Sequence, residues 1–305
     1  MYSIMIWNAQ HFDHQESALS SAYKDKKQFL DYYIAQRKPG ILALFEAGKT
    51  GTINESLVSD LASTYSLIAC LEQEGGKKKH TTLGSLVLVR KDIADQFDNV
   101  TDRYILSDSE QRAPLIIRHT KSTFGFAFYH ANSSYKASAN IVDTIGFINE
   151  NADNLGIKSL LFFGGDMNVE GQAGASTIHG MNKLLPSGGG YTHSSSYNVT
   201  LEHAGNELRD LQERGNYLLY TPQQYLREEY MLAQGIEQCE IAPVLRLLDY
   251  AYVRHHEHWR AGCEGGVILD NNWYGKTIGM RRVCLGQPIR SDHFPVLFTL
   301  NATLG

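Results

Sequence analysis

The chain has 305 residues, with a hydrophobic fraction of 43%, a charged fraction of 20%, 27 glycines and 7 prolines. That composition is globular and excludes disordered, collagenous and coiled-coil proteins. The net charge of −5 means that any polyanionic partner must be met by a local basic patch or a metal ion rather than by overall charge.

The longest apolar runs, Ile41–Phe45 and Leu67–Leu71, are five residues each, far short of the roughly 20 that a bilayer-spanning helix needs. The N-terminal MYSIMIWNAQ has no basic leader region, so the sequence predicts no signal peptide and a protein that is cytoplasmic as synthesised. Delivery outside the cell as an effector stays open. The four cysteines, Cys70, Cys239, Cys263 and Cys284, form no C-x-x-C pair and read as buried free thiols in a reducing compartment.

In chain order, residues 2–8 predict a first strand. Ala18, Leu19, Ala22, Tyr23, Phe29, Leu30, Tyr33 and Ile34 recur at helical spacing, and Pro39-Gly40 stops that helix. ILALFEA has the length of a buried strand. Leu57, Val58 and Leu61 mark a second helix, and SLIACLE a further strand. GSLVLVRKD, LIIRH and FGFAFYH follow as strands after the polar loop GGKKKHTT. SANIVDTIGFINENAD is an amphipathic helix leading into SLLFFGGDMN, a buried strand that ends in a polar loop. The pattern weakens from about 170 to 245, where residues 201–230 have room for one or two helices. It returns at LRLLDYAYVR and SDHFPVLFTL, both strand-like. Strands and helices alternate, but the last strands come without helices between them. This predicts an α/β or α+β sandwich in one domain rather than a doubly wound sheet.

The chemically interesting residues share one placement. Asn8, Glu46, His130, Asp166, Asn168, Asp249, Asp292 and His293 all fall at or near predicted strand ends. Each alone reads as a turn cap or a hydrogen-bonded structural residue. Together they are coherent: carboxylates and an amide are hard oxygen donors suited to Mg²⁺, Mn²⁺ or Ca²⁺ rather than zinc, and two histidines supply acid/base capacity near neutral pH. Hydrolysis of a phosphate ester needs that combination.

The ordered set resembles the endonuclease/exonuclease/phosphatase superfamily. WNAQ carries Asn8, LFEAG carries Glu46, YHA carries His130, GGDMN matches the G-D-x-N motif through Asp166 and Asn168, LDYAYV carries Asp249, and SDHFPV carries Asp292 and His293. FEAG, LDYA and IRSDHFPV also resemble the active B subunit of cytolethal distending toxin, within the same superfamily. The resemblance implies a four-layer α/β (α+β) sandwich, two packed mixed β-sheets flanked by helices, over residues 1–305 as a single domain. It also implies a rim insertion within 170–245.

For function, the resemblance implies a Mg²⁺-dependent phosphodiesterase that hydrolyses the DNA backbone, a deoxyribonuclease I-like endonuclease and a candidate toxin or effector. Phosphoinositide phosphatase, or another phosphomonoesterase on the same fold, is the alternative. Asn8, Glu46 and Asp292 would hold the metal. His130, Asp166, Asn168, Asp249 and His293 would be catalytic, with the division of roles between the two histidines left open. Arg112 and Lys136, with Asn168, would grip substrate phosphate. Met167 would pack beneath the site.

Weaker features are Lys77, Lys78 and Lys79, which read as a solvated hairpin tip, and HHEH at 255–258, which reads as a surface loop. Arg281, Arg282 and Arg290 flank the last motif as a candidate phosphate-facing patch. Trp7 and Trp259 read as packing residues, and Tyr135 and Tyr191 as candidate stacking residues.

Overall fold

The structure is a computed structural model that describes residues 2–9, 21–47, 55–71, 84–104, 112–133, 136–186, 192–196, 243–254, 260–265, 293 and 295–301. Strands β1 (Tyr2–Asn8), β2 (Ile41–Phe45), β3 (Tyr65–Leu71), β4 (Ser85–Arg90), β14 (Arg260–Gly265) and β15 (Val296–Asn301) form one mixed sheet, in the order β14-β15-β1-β2-β4-β3. Strands β5 (Phe97–Asn99), β6 (Leu115–His119), β7 (Phe124–His130), β8 (Ser159–Asp166), β9 (Thr177–Ile178), β10 (Met181–Leu184) and β13 (Asp249–Arg254) form the other, in the order β5-β6-β7-β8-β13-β10-β9. A short ribbon pairs β11 (His193–Ser196) with β12 (Pro243–Arg246).

The two sheets pack face to face, and the period-2 alternation of each strand says which side chain goes where. Ile4 and Ile6 of β1, Ile41, Ala43 and Phe45 of β2, and Val296, Phe298 and Leu300 of β15 meet Phe126 and Phe128 of β7, Phe162 of β8, and Ala251 and Val253 of β13 in the core between the sheets. The intervening residues face outward. Met5, Trp7, Leu42, Leu44 and Leu297 pack against Phe29, Leu30 and Tyr33 of α1 (Ser21–Arg37) and Leu57 and Leu61 of α2 (Glu55–Leu61). Ala127, Tyr129, Leu160, Phe163, Tyr250 and Tyr252 pack against Ile141, Ile145 and Ile148 of α3 (Ala137–Glu150), with α4 (Ala152–Leu155) adding Leu155. Each sheet is thus covered on both faces, which is why its strands read as near-continuous apolar runs. The layers are helix, sheet, sheet, helix, as the sequence predicts.

One irregularity sets the register. In the parallel β7–β8 pair, Gly125 lies opposite Leu160 but Phe126 lies opposite Phe162, so Leu161 is an extra residue in β8. Leu161 and Phe162 accordingly both reach the inter-sheet core. Beyond the bulge His130 lies opposite Asp166; without it, the pairing would run one residue short and bring His130 opposite Gly165.

Within the stretch of weak pattern, β9 (Thr177–Ile178) and β10 (Met181–Leu184) join the seven-stranded sheet. Two expectations are corrected. LRLLDYAYVR is not one strand: β12 ends at Arg246 and β13 starts at Asp249. Cys70 is exposed on β3 rather than buried, because β3 is the end strand of its sheet. The expected helices at 201–230, HHEH at 255–258, the lysines at 77–79, Arg281, Arg282, Arg290, Tyr135, Tyr191, Trp259 and Asp292 lie outside the described residues.

Candidate active site

The inward faces of the strands are apolar until the last rung at one end of the sandwich, where they turn polar. Asn8 continues the inward series Ile4, Ile6 on β1, and His130 continues Phe126, Phe128 on β7. Asp166 continues the inward series through Phe162 and Gly164, and Asp249 begins the series that Ala251 and Val253 extend on β13. Register aligns three of them: His130 is opposite Asp166, and Asp166 is opposite Asp249, so they form a row across β7, β8 and β13. On the facing sheet, Asn8 pairs with Phe45, immediately before Glu46. His293 lies three residues before β15, the antiparallel neighbour of β1.

Glu46 needs a separate device. In extended phase it would point away from the core, because Phe45 points into it. Its φ of 50° breaks that phase and brings its carboxylate to the site, with Oε1 3.6 Å from His130 Nε2. A non-glycine residue in left-handed geometry costs about 1–2 kcal/mol, a strain typical of functional sites. Asn168 also has positive φ, at 49°, but asparagine tolerates it better.

Two glycines let the sheets and strands close around Asp166. A Cβ on Gly164 would stand 2.9 Å from Ile6 Cδ1 across the inter-sheet space, and one on Gly165 would press into the Tyr129 backbone.

Asp166 is the hub. Its Oδ2 accepts a 2.8 Å hydrogen bond from Asn8 Nδ2, and its Oδ1 accepts one of 3.0 Å from the Asn168 backbone N–H. The same Oδ2 is 3.5 Å from His130 Nε2 and 3.6 Å from His293 Nε2. His293 is held from behind, with Nδ1 2.8 Å from Asp249 Oδ2. Asn168 Nδ2 donates to the Ala131 carbonyl at 2.7 Å. Arg112 Nη1 donates to the carbonyls of His130 and Ala131 at 3.4 and 3.2 Å, placing a guanidinium on the β7 side of the row. Lys136 is exposed one residue before α3 and six residues after His130. Met167 is buried beneath the site, as expected.

Asp166 and Asp249 are both buried. Burial pushes the Asp166 carboxyl above the ordinary carboxylate range; the Asp249 charge adds to this, while His293, Asn8 and the Asn168 N–H oppose it. Burial likewise lowers Arg112, opposed by the charges of Glu46 and Asp166. Ligand atoms of Asp166, Asp249 and His293 all lie within 4.8 Å of one another. Because His293 Nδ1 is engaged by Asp249, that trio suits proton handling. The oxygen donors of Glu46, Asn8 and Asp166 fit a hard divalent cation.

Supporting residues that sequence reasoning missed come from distant parts of the chain. Thr192 Oγ1 accepts hydrogen bonds from the backbone N–H groups of Leu248 and Asp249, at 3.0 and 2.9 Å, and so fixes the start of β13. Trp7 Nε1 donates to the His293 carbonyl at 3.1 Å. Lys26, buried in α1, donates to the Ala9 carbonyl at 2.7 Å, beside Asn8. The His193 ring packs edge-on against His293, with centroids 4.7 Å apart. Thr192 and His193 lie where the hydrophobic pattern is weak, so no periodicity marks them.

Comparison with solved structures finds this architecture elsewhere at low sequence identity. A truncated TDP2 from Caenorhabditis elegans matches with a TM-score of 0.54 and 14% identity, covering 99% of this chain and 98% of that one. An endonuclease/exonuclease/phosphatase family protein from Bacteroides thetaiotaomicron matches at 0.53 and 14%, covering 99% and 98%. TDP2 from D. rerio, complexed with single strand DNA product, matches at 0.50 and 13%, covering 99% of each. No protein-family model matches the chain, and no curated protein matches it in sequence.

Proposed function

We propose that this chain, which has the deoxyribonuclease I-like fold of the endonuclease/exonuclease/phosphatase superfamily, is a divalent-metal-dependent phosphodiesterase that hydrolyses the DNA backbone. The observation that carries the reading is the convergence of two imidazoles, at 3.5 and 3.6 Å, on one oxygen of a buried aspartate, with one imidazole oriented by a second carboxylate. A hydrolase of phosphodiesters needs a group to take the proton of water and another to supply one to the leaving oxygen.

Asp166, with its carboxyl raised by burial, is suited to accept the proton of an attacking water held beside Asn168. With Nδ1 held by Asp249, His293 Nε2 takes a proton from water when the ring is neutral and donates to a phosphate oxygen when it is protonated. His130, on the Glu46 side, faces the same oxygen and serves the leaving group. Arg112 contributes a fixed guanidinium for phosphate oxygens. Glu46 and Asn8, with Asp292, are the residues for a Mg²⁺ ion, which would neutralise charge on the phosphoryl oxygens. Mn²⁺ or Ca²⁺ would take the same donors.

Nucleic acid as the substrate is supported by a neighbour of the same fold that was solved with a single-stranded DNA product. A toxin or effector role is the finer reading and rests on the FEAG, LDYA and IRSDHFPV segments.

The test is incubation with supercoiled plasmid and Mg²⁺, beside His130→Ala and an EDTA control. Nicking by the unaltered protein alone, abolished by EDTA, is the expected result. Nicking by both proteins removes His130 from the scheme. Nicking by neither, with phosphate released from phosphoinositides, replaces the nuclease reading with a phosphatase.

A further inference from the structure

Arg112 supplies a cation on the β7 side of the carboxylate row. A second guanidinium, at the end of β12 three residues before Asp249, is one that the reaction as described does not use. Arg246 ends β12 and pairs in register with His193 of β11. Directly opposed residues of an antiparallel pair project to one face. His193 in turn bridges to His293 through the backbone and packs its ring against it. Arg246 is therefore two cross-strand steps, through His193, from the imidazole that faces Asp166.

The state of this guanidinium is unusual for a half-buried arginine. Its Nε is buried and has no hydrogen-bond partner, a situation that costs free energy unless a ligand satisfies it. Among the described residues Arg246 forms no ion pair. The carboxylate whose charge it feels, Glu170, is engaged elsewhere, accepting from the Leu247 N–H at 3.2 and 3.4 Å. Arg246 is also held firmly from the backbone, because its carbonyl accepts from the Thr192 N–H at 3.0 Å.

We propose that Arg246, with His193 beside it, forms a second phosphate subsite that holds the backbone phosphate next to the scissile one. This deepens the nuclease reading and rests on it. Arg112 beside β7 and Arg246 on β12 then supply two separate cations around one centre. Two such cations fit two phosphates of a polynucleotide, and contacts of this kind position a backbone without reading bases.

The test is binding of a fluorescein-labelled ten-nucleotide oligothymidylate in EDTA, read by anisotropy across a salt series, for the unaltered protein, Arg246→Gln and Arg246→Lys. One lost phosphate contact lowers the slope of log affinity against log salt by about 0.7 for a single strand. Arg246→Gln should show that loss and bind roughly tenfold more weakly. Arg246→Lys, which keeps the charge, should restore most of the slope.

An unchanged slope in Arg246→Gln overturns the subsite. So does an Arg246→Lys variant as impaired as Arg246→Gln, since that marks a packing role. Absence of salt-dependent oligonucleotide binding by the unaltered protein also overturns it, as does Arg246-dependent binding confined to vesicles containing phosphatidylinositol bisphosphate. Arg246-dependent oligonucleotide binding without plasmid nicking leaves the subsite standing and removes only the hydrolytic reading.

Discussion

Gly165 offers a test of how tightly the pairing of β7 with β8 ties geometry to chemistry. It lies in β8 opposite Tyr129, one residue before the Asp166–His130 pair. A Cβ there would overlap the Tyr129 carbonyl oxygen and come within 2.7 Å of its carbonyl carbon. Ordinary carbon contacts lie at about 3.5–4.0 Å, so Gly165→Ala must part β7 from β8 by more than about 1 Å. Backbone atoms cannot swing aside as a side chain would. Overpacking of this kind destabilises by about 1–3 kcal/mol, roughly 2–4 °C of Tm per kcal/mol for a large domain. The larger effect should be on rate. Asp166 Oδ2 is only 3.5 Å from His130 Nε2, and a misplacement of about 1 Å in a catalytic constellation lowers the rate by about 10²-fold. The assay is plasmid nicking at saturating Mg²⁺ beside a thermal melt. A Gly165→Ala protein that melts a few degrees lower and retains about a hundredth of the activity supports the geometry. Full activity with an unchanged melt refutes the claim that the β7–β8 contact positions the two groups.

Asp249→Asn removes the carboxylate that holds His293 Nδ1 and should lower the nicking rate by about 10²–10⁴-fold, as loss of an oriented acid/base does. Thr192→Val leaves the buried N–H groups of Leu248 and Asp249 without their acceptor, so chemical denaturation should show a loss of about 1–3 kcal/mol. The raised carboxyl of Asp166 fixes the sign of a pH effect. The native state holds that proton more tightly than the unfolded chain, so the contribution to stability is full below the ordinary aspartate range and is lost as pH rises through the raised native value. In EDTA, denaturation from mildly acidic to neutral pH should therefore show a fall in stability that Asp166→Asn flattens. A steeper fall in the variant would contradict the burial argument.

Much of this was legible because strands carry a period of two. The inward series on β1, β7, β8 and β13 can be counted along the sequence, and Asn8, His130, Asp166 and Asp249 are the points where polar residues interrupt or end it. The contacts that secure the centre were not legible. Lys26 lies among the charges of SAYKDKKQ, and only the tertiary approach of α1 to Ala9 makes it a buried donor. Thr192 reaches Asp249 across 57 positions, and no local pattern encodes so distant a partner. Glu46 was placed by motif, but its alternation points the wrong way, and the left-handed turn that corrects it is invisible without coordinates. The exposure of Cys70 follows from β3 being an edge, which strand order decides rather than composition.

The extra residue at Leu161 means that the site depends on chain length as well as on residue identity. Removing any one residue from Phe162 to Gly165 while the bulge persists would leave G-D-x-N intact yet slide Asp166 out of phase with His130, turning its carboxylate toward α3. Two homologues with the same G-D-x-N signature could thus differ in competence through a single deletion that removes no catalytic group. Counting the spacing between the bulge and GGDMN is for that reason a sharper criterion of an intact centre than matching the motif itself.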